Sequence, residues 1–187
     1  MKVTRKVMFE TNVMGPYEIC IGDQIAVKLC GFGEFTATAQ KVTKKGILFL
    51  FDDAIANRPM NESGTNAGGF EQSDMKRWLR NTILPAFPEK LRCKVTDITL
   101  PTMGEIFGHD YFYENFEPDK DEQFELMKRR DNRACIFNDD WCWWWLRNTM
   151  KQDISSVYFA AVSTYGDSLF QPSLNPNGVR PEFWLGR

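Results

Sequence analysis

The chain has 187 residues, of which 43% are apolar and 26% charged, and its formal net charge at pH 7 is −2. This length and apolar content predict one globular domain with a substantial core. The weakly acidic balance argues against nucleic acid as the main ligand, which would need a basic surface.

The sequence carries no mark of export or membrane insertion. The opening MKVTRKVMFETNVMG has charges but lacks the unbroken apolar run of a secretion signal. No segment approaches the roughly 18 consecutive apolar residues of a membrane span. The five cysteines are scattered without a Cys-x-x-Cys pair, which favours reduced thiols over disulfides or structural zinc. We therefore expect a cytoplasmic protein without a cofactor or a bound metal.

The first half of the chain predicts short strands, a loop and a helix. After an N-terminal extension or strand over 1–21, the stretches CIGDQIAVKLCGFGEFTATAQKV and GILFLFDD favour strands broken by glycine turns. The polar NRPMNESGTNAGGF predicts a loop. The helix that follows should begin at a Ser73 or Asp74 cap and end at Pro85. Its inward face is apolar and is formed by Met75, Trp78, Leu79 and Ile83.

The second half predicts a strand, two short helices and a sheet. KVTDITL is strand-like, and Thr102 and Glu105 have the spacing of a capping box that opens a short helix. HDYFYENFEPDKDEQFELMKRRDNRA predicts a loop and then a helix, because its second half carries acids before bases. WCWWWLR, VYFAAVST, SLFQPSL and VRPEFWL predict an antiparallel meander of four strands separated by turn sequences.

The pentapeptide WLRNT occurs twice, at 78–82 and at 145–149. The first copy lies in the predicted helix, whereas the second ends a predicted strand. We therefore predict that residues 74–83 are helical and that 143–147 are extended. The repeat is interpreted as a coincidence and not as a duplication.

Several motifs resemble an uncharacterised bacterial and phage domain family. WWWLRNT, YFAAVSTYGD and NGVRPEFWL resemble its closing W-W-L-R-S motif, alternating strand and G-V-R-P-x-F-x-L motif. ILFLFDDAIANRPMN, SDMKRWLRNTILPAFPEKL and ITLPTMGEIFG are similar to its upstream half in order and spacing. The resemblance covers residues 22–187 and implies a single α+β domain with a C-type-lectin-like fold. That fold group includes the formylglycine-generating enzymes and the variable proteins of diversity-generating retroelements.

The resemblance implies short N-terminal strands, two or three helices and a C-terminal antiparallel meander. Two departures from the family pattern concern its closing motifs. Asn148 replaces the family's serine and is followed by Thr149 and Met150 in place of small residues. Glu182 and Trp184 stand where smaller or less aromatic residues are usual. Since the family has no settled activity, the resemblance informs the fold more than the function.

Candidate catalytic groups are few, and we expect a protein that is not an enzyme. His109 is the single histidine, and a lone histidine beside an acid in a loop is typical of a surface residue. The related cysteine oxidases use a thiol pair, a role that Cys135 and Cys142 could fill. Free cysteines in an aromatic setting, however, ordinarily pack without reacting. No residue is therefore assigned a catalytic role.

The aromatic run at 141–145 leaves two alternatives open. In one continuous strand, Trp141, Trp143 and Trp145 would share a face, and Cys142 and Trp144 the other. Either both faces are covered by other elements, or one aromatic face is offered to a partner.

Four residues are expected to be structural. Trp78 and Trp144 are predicted core side chains. Arg147 and Arg180 are predicted to satisfy loop carbonyls or a carboxylate inside the fold.

A protein partner is expected, nucleic acid is not expected as the main ligand, and the oligomeric state is left open. In a lectin-like fold the late loops project from one end of the sheet, and loops commonly carry recognition. The predicted partner-binding residues are Asn148, Thr149, Met150, Tyr165, Asp167, Gln171, Asn175 and Asn177. The alternative site is a solvent-facing basic patch of Arg77, Arg80, Lys128, Arg129 and Arg130, which would suit an acidic partner.

Three functions follow from these patterns. The first is a non-catalytic recognition module that binds a protein through its C-terminal loops. The second is a phage or prophage accessory protein that inhibits a host defence complex. The third is a thiol-based enzyme of the formylglycine-generating type.

Overall fold

The computed structural model describes residues 19–109 and 114–186, and most of the expected N-terminal segment 1–21 lies outside them. In this part of the chain the strands are β1 Gln24–Leu29, β2 Gly33–Val42, β3 Gly46–Phe51, β4 Ala56–Arg58, β5 Val95–Thr99, β6 Ile136–Phe137, β7 Asp140–Trp141, β8 Trp144–Thr149, β9 Tyr158–Val162, β10 Ser168–Pro172, β11 Asn177–Val179 and β12 Glu182–Gly186. The α-helices are α1 Asp74–Trp78, α2 Leu84–Ala86, α3 Glu89–Arg92 and α4 Met103–Phe107. The predicted α+β class is confirmed.

The strands form two five-stranded sheets and one hairpin. The first sheet has the order β1-β2-β3-β12-β5 and is antiparallel throughout. The second has the order β10-β9-β8-β11-β4, in which β8 and β11 are parallel and the other pairs antiparallel. β6 and β7 form the separate hairpin.

Two hydrophobic clusters cover opposite faces of the central strands. β3 is buried at every position, because Phe49 and Phe51 enter the first cluster whereas Leu48 and Leu50 enter the second. The helices that begin at Asp74 cover the first cluster, and α4 with the segment from Phe116 to Cys135 covers the second. This two-sided burial explains why β3 reads as an uninterrupted apolar run.

The predicted helix over 74–83 is confirmed, although it is not a uniform α-helix. Ser73 caps it, with its side chain accepting a hydrogen bond from the Lys76 N–H at 3.0 Å. α1 passes into a π-helical turn, Leu79–Ile83, and then into α2. The prediction that Pro85 ends the helix is wrong by one residue, since α2 reaches Ala86. Pro85 is tolerated because it lies in the first turn of α2, where its missing N–H costs little.

The predicted four-stranded meander is wrong in its last member. β8, β9 and β10 form an antiparallel meander, but β12 joins the other sheet between β3 and β5. β11 pairs in parallel with β8, and a backbone crossing at Arg180 and Pro181 then carries the chain between the sheets. Pairing with the apolar β3 buries Phe183 and Leu185, which a fourth meander strand at an edge would not do.

The helix predicted before residue 135 is also corrected. This segment contains two 3-10 turns, Glu125–Lys128 and Arg130–Arg133, and no α-helix within its described residues. None of the helices in residues 19–109 and 114–186 has the length and apolar character needed to cross a membrane.

Candidate functional site

A shallow pocket of about 290 Å³ lies at one end of the second sheet. We call it the indole pocket and define it by its lining residues Asn57, Trp141, Cys142, Trp143, Thr164, Pro176 and Asn177. These residues come from the region just before β8, the turn just after β9, and the starts of β11 and β4. Four separate pieces of chain therefore build the site, and none of its lining residues is charged.

The indole pocket exists because the aromatic run is broken. The hairpin of β6 and β7 turns at Asn138 and Asp139, which both have positive φ, the geometry of a tight two-residue turn. β7 ends at Trp141 and β8 begins at Trp144, so the predicted continuous strand from 141 is wrong. Extended structure at 143–147 is confirmed from Trp144 onward.

Both alternatives for the aromatic run apply, to different residues. Trp144 and Trp145 are fully buried on opposite faces of β8, Trp144 in the second cluster and Trp145 in the first. Trp141 and Trp143 are 63% and 44% exposed. The core is thus covered on both faces, and two neighbouring indoles are still presented to solvent at the pocket.

Asn177 supplies unused hydrogen-bonding capacity to the indole pocket. It is 5% exposed, and its Nδ2 has no hydrogen-bond partner among the described residues. A buried amide N–H without a partner costs about 1–3 kcal/mol. Asn177 is thus a pocket residue whose amide nitrogen is not used by the fold.

The thiols of Cys135 and Cys142 meet beneath the pocket. Cys142 is half-buried and lines the pocket, whereas Cys135 is buried in the second cluster. The Cys135 thiol donates to the Ile136 carbonyl oxygen at 3.8 Å, and its side-chain contact with Cys142 lowers the pKa of Cys142. The same contact, together with burial, raises the pKa of Cys135. The expectation that both thiols are inert packing groups fits Cys135 better than Cys142.

Gly178 makes this close packing possible. A Cβ atom added there would lie 2.8 Å from the Cys142 Sγ and 3.0 Å from the Trp143 carbonyl oxygen. Its backbone N–H donates to that same carbonyl at 2.7 Å. A glycine therefore holds β11 against the residues that form the pocket wall.

The predicted partner-binding residues do not form one surface. Asn148, Thr149, Met150 and Asn177 are buried. The Asn148 side chain accepts from the Met103 N–H at 2.7 Å and donates to Asp119 at 2.8 Å, so it fixes the start of α4. Met150 belongs to the second cluster. Asn148, Thr149 and Met150 are therefore packed within the fold, whereas Asn177 lines the indole pocket.

The remaining members of that set are separated from the buried ones. Asn148 to Met150 lie where β8 ends, whereas Tyr165 and Asp167 lie in the β9–β10 turn beside the start of β8. Gln171 and Asn175 hydrogen-bond to each other at 3.1 Å. Tyr165 is well exposed and follows Thr164 of the pocket wall. Of these four residues, Tyr165 and Asn175 are the ones that adjoin the indole pocket, since Asn175 directly precedes Pro176 of its lining.

The predicted basic patch is not one surface either. Arg77 and Arg80 are exposed as predicted, but they lie on the helix that covers the first cluster. Lys128, Arg129 and Arg130 follow Met127, which packs in the second cluster on the opposite face. Acidic neighbours also pair with these cations: Arg77 with Asp74, Lys128 with Glu125, Arg129 with Asp131, and Arg130 with Asp167.

The arginines predicted to be structural lie inside the fold. Arg180 is 4% exposed and donates to the carbonyl oxygens of Phe51 and Asn132, at 2.7 and 3.2 Å. Its guanidinium also stacks over the Trp144 ring. Arg147 pairs with Asp121 at 3.2 Å and with Glu105 at 4.0 Å. Trp78 is only half-buried, at the edge of the first cluster, where Arg58 lies over its ring.

Sequence reasoning missed most of the indole pocket. Asn57, Thr164 and Pro176 belong to loops or strand ends that the tertiary fold brings to the two tryptophans. One signal was present: Asn138 and Asp139 form a two-residue turn sequence that would have separated Trp141 from the following strand.

Comparison of the chain with family models, curated proteins and solved structures found no significant match.

Proposed function

We propose that this protein is a non-catalytic recognition module that binds an extended peptide segment of a protein partner in the indole pocket. The observation that carries the proposal is the pair of exposed indoles, Trp141 and Trp143, in the same pocket as Asn177, whose buried Nδ2 has no partner among the described residues. Tryptophan is among the residues most enriched where interfaces gain their energy. The partner-binding role is thereby moved from the late loops to this end of the second sheet.

The chemistry of the pocket favours a neutral or basic apolar peptide. An apolar or proline side chain can pack between the indoles, as extended proline-rich ligands do in aromatic-lined grooves. A backbone carbonyl of the same ligand can accept from Asn177. Asp139 and Asp140 are exposed on the hairpin beside Trp141, so a lysine or arginine next to the apolar residue would add a favourable charge contact.

A rigid frame supports this proposal. Trp145 and Trp144 anchor the following strand on both of its faces, and Gly178 ties β11 to the pocket wall. Preorganised aromatic side chains lose little conformational entropy on binding. The larger depression between the β2–β3 turn and Trp184 is lined by Lys41, Lys44 and Lys45, which would repel a basic peptide.

We also propose that the chain is related to proteins with a C-type-lectin-like fold, because of its sequence motifs WWWLRNT and NGVRPEFWL. A reducing, cytoplasmic location is proposed on the five cysteines, none of which forms a disulfide in the structure.

The test is a peptide-display selection on the immobilised full chain. Peptides enriched on the wild type should lose binding to a Trp141→Ala/Trp143→Ala double variant. The matched control changes two exposed apolar side chains outside the pocket, Ile154→Ala/Leu174→Ala, and should retain binding. Enriched peptides that bind the tryptophan double variant as tightly as the wild type would refute the proposal.

A further inference from the structure

Cys135 and Cys142 are placed opposite each other across the β6–β7 hairpin. Ile136 pairs with Trp141 in that hairpin, so the next residues outward on the two strands are the two cysteines. The Cys142 N–H donates to the Cys135 carbonyl oxygen at 3.0 Å, which continues the ladder. Hydrogen-bonded antiparallel pairs have Cα atoms about 5.5 Å apart. Disulfides span Cα separations of about 4.4–6.8 Å, so this site can close with little movement of the backbone.

The two thiols are unequal in access and acidity. Cys142 lines the open indole pocket, whereas Cys135 has no exposed surface. The side-chain contact with Cys135 is the largest influence on the pKa of Cys142 and lowers it. Burial and Asp53 oppose this effect, and Arg180 adds a smaller lowering. A reachable thiolate beside a protected second thiol is the arrangement that allows oxidation in two ordered steps.

We propose that Cys142 and Cys135 form a peroxide-responsive redox pair, in which Cys142 reacts first and Cys135 resolves it as an intramolecular disulfide. In the first step the Cys142 sulfur attacks a hydroperoxide and forms an S–O bond. The peroxide O–O bond breaks, and the leaving oxygen departs as water or an alcohol.

In the second step the Cys135 sulfur attacks the Cys142 sulfenic acid. The S–S bond forms, the S–O bond breaks, and the oxygen leaves as water with the thiol proton. Two thiols are thus oxidised by two electrons while one hydroperoxide is reduced. A cellular dithiol can reverse the change by thiol–disulfide exchange.

The hairpin favours closure over further oxidation, because it holds the two cysteines at directly opposite positions. The sulfenic acid would therefore form next to its resolving thiol. Formation of the disulfide depends on the two cysteines alone and can be measured whether or not the indole pocket binds a peptide.

The experiment uses the reduced full chain, hydrogen peroxide, rapid alkylation of the remaining thiols, and peptide mass mapping. The expected product is a Cys135–Cys142 link lighter by two hydrogens, formed about tenfold faster than oxidation at the exposed Cys30 and Cys93. Cys93→Ser is the matched control and should leave the link unchanged. Absence of the link, or oxidation of Cys142 no faster than that of Cys30 and Cys93, would overturn the proposal.

Two variants separate the roles of the sulfurs. In Cys135→Ser, Cys142 should stop at the sulfenic acid, which a dione probe traps. In Cys135→Ala, which also removes the side-chain contact, alkylation of Cys142 should need a higher pH than in the wild type. In Cys142→Ser, Cys135 should stay reduced because it is buried. Equal trapping at Cys135 and Cys142 in the single variants would contradict the assigned order. If Cys135→Ser does not fold, peptide mass mapping of the oxidised wild-type chain is sufficient to test the proposal.

Discussion

At the residue scale, the least expected feature is a group of carboxyl side chains packed around the first turn of α4. Glu105 completes the predicted capping box, since its Oε2 accepts from the Thr102 N–H at 2.8 Å and Thr102 caps the Glu105 N–H. Arg147 and Asp121 lie beside it. Glu182 is fully buried nearby, where burial raises its pKa well above the ordinary range. The local motif was predictable, whereas the burial of a second carboxyl beside it was not.

The cluster predicts a pH-dependent stability. Burial raises the pKa of Glu105 from 4.5 to about 6. Between these values the folded chain holds a proton that the unfolded chain has lost, so the free energy of unfolding should fall as the pH rises through this window. The difference corresponds to at most about 2 kcal/mol. Denaturant unfolding at several pH values from 4.5 to 7 measures it.

Glu105→Gln is the control for this prediction. The amide oxygen can still accept from Thr102, but the titrating carboxyl is gone. The difference between the two profiles isolates Glu105 from other titrating groups. If the free energy of unfolding changes with pH in the same way for the wild type and for Glu105→Gln from pH 4.5 to 7, Glu105 is ionised throughout this range in the folded protein.

At the element scale, the two WLRNT copies show that the surrounding structure determines the conformation of a pentapeptide. In the first copy Leu79 enters the first cluster within a helix, and Trp78 stays at its edge. In the second copy Trp145 enters the same cluster from β8, with its Nε1 donating to the Arg58 carbonyl at 2.9 Å. The helix copy follows the Ser73 cap, whereas the strand copy pairs with β9. Capping and strand pairing outweigh the identity of five residues.

The two tryptophans of these copies should differ in their contribution to stability. Trp145→Ala should lower the free energy of unfolding by about 3–5 kcal/mol, since it empties a fully buried site. Trp78→Ala should lower it by about 1–2 kcal/mol, because the side chain is half-buried and loses a cation–π contact with Arg58. Urea unfolding of both variants gives the comparison. Equal losses would mean that the helix copy is as deeply packed as the strand copy.

At the scale of the whole molecule, two of the passages that carry the chain between the sheets lie next to each other. The passage from β3 to β4 and the passage from β11 to β12 run side by side, with the Ile55 N–H donating to Val179 and the Phe51 N–H to Pro181. Arg180 lies in the second passage and reaches the carbonyls of Phe51 and Asn132. One buried cation thus connects the first sheet, the crossing and the segment that covers the second cluster.

Removal of the Arg180 head group should therefore destabilise both sheets together. Arg180→Met keeps an apolar stem but leaves two carbonyl groups without this donor, at a cost of about 1–3 kcal/mol each. Hydrogen exchange should show protection falling in both β2–β3 and β8–β9. Arg180→Lys, which keeps the charge and one donor group, should lose less stability. Exchange that rises in one sheet alone would mean that the crossing does not couple them.

Short-range patterns in the sequence determined much of the fold. The strands β1, β2, β3 and β5, the Ser73 cap, the capping box of α4 and the β8–β10 meander depend on neighbouring residues and were predictable for that reason. Tertiary structure alone decided that β12 leaves the meander, that Asn148 to Met150 are buried, and that Trp141 and Trp143 stay exposed. Each of these depends on pairing between residues far apart in the chain, such as β12 with β3 or β11 with β8. A local pattern specifies which residues can be extended or helical. Which other strand or helix packs against them depends on how much apolar surface the whole folded chain buries.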